Sequence, residues 1–99
     1  MPSRELLSVQ DIEIALELVP LWVLEGNKIE REFVCSDFVS VIGLVNAVAI
    51  LSESQNHHPD LTVYGWNKLR ISITTFDKGG LTGQDFTLAK KIDKININR

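Results

Sequence analysis

Glu53-Ser54-Gln55-Asn56-His57-His58-Pro59-Asp60 holds both histidines of the 99-residue sequence, side by side, with a carboxylate four residues before the first. Imidazole takes up and releases protons near neutrality, so acid–base work is the natural chemistry of such a pair. Pro59 disfavours helical backbone at His58, which predicts a helix ending at about His57 and a tight turn into a strand. If the helix persists that far, Glu53 and His57 meet on one face at i, i+4 spacing, and the carboxylate fixes the imidazole tautomer. Two simpler roles stand beside this one. A histidine at a helix C-terminus also interacts favourably with the helix dipole. The same side chains could hold a metal, but two adjacent histidines and a glutamate lack the spacing of typical zinc sites, and no cysteine is near. Cys35 falls at a strand end with nothing to activate it and reads as a small buried hydrophobe. Serine-hydrolase signatures are absent.

The elements that must position these residues follow from periodicity. Ser8 with Asp11 three residues on resembles a helix start, and Ile12, Ile14, Ala15, Leu16 and Leu18 outline a helix ending before Pro20. Trp22 to Leu24 is a short apolar stretch, Glu25-Gly26-Asn27 a turn, and Lys28 to Cys35 an alternating strand with one wet face. Ser36-Asp37 caps a second helix running to about Ser54, apolar around most of its circumference. Such a helix is covered on more than one side, by a sheet and by a second subunit. Residues 61–64 and 69–76 read as antiparallel strands joined across Gly65-Trp66-Asn67-Lys68. By period-two alternation Phe76 shares a face with Arg70, Ser72 and Thr74, and Asp77 points the other way. Asp77-Lys78-Gly79-Gly80 is a loop, and Thr82 with Asp85 opens a last helix through about Ile92. Runs of adjacent strands argue for an α+β fold, a four-stranded antiparallel sheet with its helices on one face, and a single domain over 1–99.

Composition narrows the classes. An apolar fraction of 44% and a charged fraction of 23% are ordinary for a soluble domain. The net charge of −3 argues against direct nucleic-acid binding, which needs a clustered basic surface. Lys90, Lys91, Lys94 and Arg99 make the C-terminus basic, as suits the end of a helix. The first five residues carry no apolar core like that of a secretory signal. Phe38 to Leu51 falls short of the roughly 20 residues that span a bilayer, so no membrane partner is expected. One cysteine fits a reducing, cytoplasmic compartment.

Taken together, Glu53-x-x-x-His57-His58-Pro59, Trp66, Thr74-Thr75 and Gly80-Leu81-Thr82-x-x-Asp85 resemble the signature of the pterin-4a-carbinolamine dehydratases. Trp22 with Leu24-Glu25-Gly26, Phe33 and Asp37-Phe38 resembles that family's first half. The resemblance runs from about Leu7 to Asp93. It implies dehydration of a 4a-hydroxytetrahydropterin to the quinonoid dihydropterin in tetrahydrobiopterin recycling, with a pterin substrate, no metal or redox cofactor, and assembly as dimers or tetramers. It implies that His57, His58 and Glu53 are catalytic, that Thr74 and Thr75 contact the pterin, and that Trp22 lies near the pocket. Asp85 matches the acid closing the signature and equally the third residue of a capping box. Trp66 stands as a pocket aromatic or a loop anchor. One position departs: Phe76 stands where the family usually has a third histidine, and a phenyl ring stacks on a pterin but moves no proton. The competing expectation is a protein-binding factor, similar to the relatives that act as a transcriptional coactivator or in Rubisco assembly.

Overall fold

The computed structural model describes residues 4–95. Arg99, counted in the basic C-terminus, lies outside them. Ser8 caps α1 (Val9–Glu17) by accepting from the Asp11 N–H, and Asp37 caps α2 (Phe38–Gln55) by accepting from Ser40 N at 2.7 Å. The two bonds from Ser40 hold the Asp37 carboxyl below its ordinary value. Between the helices run β1 (Val23–Glu25) and β2 (Lys28–Val34); β3 (Asp60–Tyr64), β4 (Lys68–Ile73) and α3 (Gly83–Asp93) follow.

The strands form one antiparallel sheet in the order β1-β2-β4-β3. Pairing of β2 with β4 sets Ile29 opposite Ile73, Arg31 opposite Ile71 and Phe33 opposite Leu69. Because side chains alternate, this register turns Ile29, Phe33, Leu69, Ile71 and Ile73 into one buried face. Val41, Leu44 and Val48 of α2 and Phe86, Leu88, Ala89 and Ile92 of α3 complete the same core, with Cys35 among them. The other face carries Glu30 hydrogen-bonded to Ser72, and Arg70 beside Tyr64. The expected α+β sandwich is the observed one.

Two elements differ from expectation. The second helix is long and apolar enough to cross a membrane by composition, yet one of its faces packs in the core. Its opposite face is bare in the single chain, with Val39 79% and Ile50 70% exposed. The final strand stops at Ile73, short of Phe76. Thr75 N bonds Gly80 O at 3.1 Å, and a 3-10 turn at Phe76–Lys78 closes through left-handed Gly79 (φ 72°). The turn lifts the chain off the ladder, so alternation no longer decides which way residues 76 and 77 face.

Candidate active site

The site begins with one left-handed residue. Asn56 (φ 53°) ends α2, and the bonds Asn56 N to Glu53 O (3.2 Å) and His57 N to Ser52 O (3.0 Å) form a Schellman-type cap. Asparagine tolerates this backbone where a branched residue would not. The helix therefore ends before both histidines, and the expected Glu53–His57 contact does not form. The left-handed turn rotates His57 inward, and it is His58, one residue further, that reaches back to pair with Glu53.

His57 is buried, with Nε2 lying 2.6 Å from Asp85 Oδ1. Asp85 is 0% exposed. Its Oδ2 accepts from Thr75 Oγ1 and from Thr82 N, each at 2.8 Å. Each threonine has one hydroxyl proton, and a carboxylate only accepts, so the bond directions are fixed. Thr75 gives its proton to Asp85, and Thr82 gives its own to Thr75 across 2.8 Å. Thr82 in turn accepts from Gln84 N, completing the capping box of α3. Asp85 thus fills both roles at once, cap and histidine partner. Its acceptance from Nε2–H leaves Nδ1 as the nitrogen of His57 with which chemistry can be done.

His57 and His58 border an open cavity of about 360 Å³, whose lining also includes Thr74, Phe76, Arg4 and Asp77. Thr74 Oγ1 donates to Asn27 O at 2.7 Å, which ties the end of β4 to the turn between β1 and β2. Phe76 and Thr74 also line a smaller adjoining cavity of about 170 Å³.

Residues 5–95 match the family model for pterin 4 alpha carbinolamine dehydratase. The chain belongs to that family. A protein of Sulfurisphaera tokodaii, provisionally named a pterin-4-alpha-carbinolamine dehydratase, is 40% identical over 90% of this chain and 95% of its own length. One of Roseiflexus castenholzii with the same provisional name is 43% identical over 91% and 96%. Among solved structures, a transcriptional coactivator/pterin dehydratase from Brucella melitensis superposes with a TM-score of 0.83 at 25% identity, over 90% of this chain and 96% of that one. A pterin dehydratase-like protein described as a RuBisCO assembly factor in the alpha-carboxysome shares the fold, with a TM-score of 0.58 at 18% identity over 73% and 82%.

In this member of the carbinolamine dehydratase family, His57, His58, Thr74 and Phe76 come together around the cavity. Glu53 and Asp85 stand behind the two imidazoles. Thr75, expected at the pterin, is instead buried and bonded to Asp85 and Thr82, so its side chain orients the acid and does not line the cavity. Trp22 also differs from expectation. Its ring lies in the core and its Nε1–H donates to Asp93 Oδ1 at 2.8 Å, away from the cavity wall. Trp66 is exposed on left-handed backbone (φ 58°), neither a buried anchor nor a lining residue. Sequence reasoning passed over Gln55 and Gln84, although Gln55 sits two positions before the histidines. It also passed over Arg4, which no local signal marks. Leu7 N bonds Leu81 O at 2.9 Å and Leu6 bridges to Thr82, and that long-range pairing brings Arg4 to the cavity. Asp77 was expected to face away; the 3-10 turn brings it to the cavity.

Proposed function

We propose that this chain is a hydro-lyase acting on 4a-hydroxytetrahydropterins, of which 4a-hydroxytetrahydrobiopterin is the expected substrate, in tetrahydrobiopterin recycling. The observation that carries the reading is a pair of imidazoles, each with one nitrogen on a carboxylate, bordering a cavity of about 360 Å³. Dehydration needs a proton delivered to the leaving hydroxyl and another taken from a ring nitrogen, and groups of this kind contribute about 10²–10⁴-fold each. His57 and His58 are the proton carriers, Asp85 and Glu53 hold their tautomers, and Thr74 and Phe76 form the wall against the pterin ring. The chemistry requires no metal or redox cofactor. A single buried cysteine supports a reducing, cytoplasmic setting.

Stopped-flow dehydration of chemically generated 4a-hydroxytetrahydropterin tests this. Acceleration by the wild-type protein that vanishes in His57→Ala is the expected result. No acceleration above buffer, restored by Phe76→His, would turn the reading to a binding scaffold. That second reading, a protein-binding factor of the coactivator or Rubisco-assembly kind, is favoured by one observation: the bare apolar face of α2, with Val39, Ile42 and Ile50 exposed. Under the enzymatic reading the same face supports a second copy of this chain, in a homodimer or homotetramer. Sedimentation equilibrium of the purified protein checks that assembly, and a monomer would count against it.

A further inference from the structure

Asp77 sits at the crown of a turn that is pinned from several sides. Lys78 N and Gly79 N both bond Thr75 O, at 3.0 and 3.1 Å, and the Asn27 side chain donates to Gly79 O at 3.3 Å. The side chain therefore springs from a fixed backbone and lines the same cavity as Phe76, His57 and His58. Among the lining residues those imidazoles and this carboxylate are the groups with a nitrogen or oxygen lone pair suited to accepting a proton; the guanidinium of Arg4 only donates and Phe76 has neither donor nor acceptor. Each imidazole already has one nitrogen committed to a carboxylate. Among the described residues the Asp77 side chain pairs with Arg4 alone, and the two side chains are 63% and 49% exposed. An exposed ion pair of this kind is worth about 0–1 kcal/mol, so a bound ligand displaces it at little cost.

We propose that Asp77 is the proton acceptor of the dehydration, held by Arg4 until substrate enters. This rests on the dehydratase reading above. An imidazolium of the histidine pair gives its proton to the C4a hydroxyl, the C4a–O bond breaks, and water leaves. The lone pair of the adjacent ring nitrogen forms the C=N bond, and that nitrogen's proton passes to the Asp77 carboxylate. Substrate becomes quinonoid dihydropterin and water, and the acid and base recover through solvent. The ring N–H turns acidic as the C–O bond breaks, so a carboxylate is basic enough to accept it.

The test is the stopped-flow assay on wild type, Asp77→Asn, Asp77→Glu and the double variant Asp77→Asn/Phe76→His. Asp77 is exposed and its backbone bonds stay in place, so all four chains should keep the wild-type melting curve. The expected result is a loss of about 10²-fold or more in kcat for Asp77→Asn, with KM little changed. Asp77→Glu recovers part of that loss, and an imidazole at position 76 restores turnover to the double variant. If wild type accelerates the reaction and Asp77→Asn matches it, this inference is wrong and the dehydratase reading stands. If wild type does not accelerate it, both fall.

Discussion

Asp85 separates structure from chemistry because two substitutions attack it differently. Asp85→Ala removes the acceptor of three hydrogen bonds, from His57 Nε2, Thr75 Oγ1 and Thr82 N, in a site with no solvent access. Removing one partner of a buried charged cluster costs about 3–5 kcal/mol. In a domain of this size each kcal/mol moves Tm by roughly 4–8 °C, so Tm should fall by more than about 12 °C. Total stability is on the order of 5–15 kcal/mol, so the variant is severely weakened or unfolded. Asp85→Asn keeps the shape. Its carbonyl oxygen still accepts from Thr82 N and Thr75 Oγ1, and the cost is about 1 kcal/mol. Its NH₂ group, however, replaces the oxygen that lies 2.6 Å from His57 Nε2. That nitrogen must then accept, which fixes the neutral tautomer with its one proton on Nδ1 and removes the carboxylate that pairs with the imidazolium donor.

The two variants therefore make opposite demands on the assays. Thermal melting by circular dichroism should find Asp85→Ala far below wild type and Asp85→Asn close to it. Stopped-flow dehydration should find Asp85→Asn about 10²–10⁴-fold slower despite its intact fold. If Asp85→Asn turned over at the wild-type rate, the tautomer argument would be refuted and Asp85 reduced to a helix cap. A wild-type melt for Asp85→Ala would refute the energetic argument instead.

Other consequences are quicker to check. Trp22→Phe keeps most of the buried ring and loses the 2.8 Å bond to Asp93, so it should cost about 1 kcal/mol in a urea melt and leave dehydration unchanged. A slowed reaction would return Trp22 to the pocket. Asp37→Ala tests the cap of α2. The Asp37 carboxyl lies below 3.8 in the folded chain because Ser40 bonds its ionised form. A depressed folded value means stability that is present at neutral pH and lost as pH falls through that value. The variant should melt below wild type at pH 7, with the gap closing in acid below 3.8; a gap independent of pH would contradict this.

Much of the fold was legible because local rules agreed with the tertiary result. Ser8, Asp37 and Thr82 each cap the helix expected of them, and Lys28–Val34 alternates because one face is wet. The candidate residues His57, His58, Thr74 and Phe76, read from spacing, parity and resemblance, share one cavity. Who pairs with whom was not legible. The i, i+4 rule assigned Glu53 to His57 on the assumption of continuous helix, and one left-handed residue at Asn56 handed Glu53 to His58. Alternation sent Asp77 to the far face on the assumption of continuous strand, and the turn at Phe76–Lys78 cancelled it.

Both errors have the same cause, and it bears on where catalysis can be built. Periodicity holds only while the backbone repeats, and most groups around this cavity sit where it stops or starts: at and past the C-cap of α2, past the end of β4, and in the first turn of α3. A regular element presents a side chain every second or fourth residue along a line, which suits packing. A convergent pocket needs side chains aimed at one point, and left-handed or 3-10 backbone supplies that change of direction. The local signals that end an element, Asn56 before His57-His58-Pro59 and Gly79-Gly80 after Asp77, are therefore the better guide to the site than the periods they interrupt. On that argument Asp77, at the same kind of break as the histidines, belongs with them.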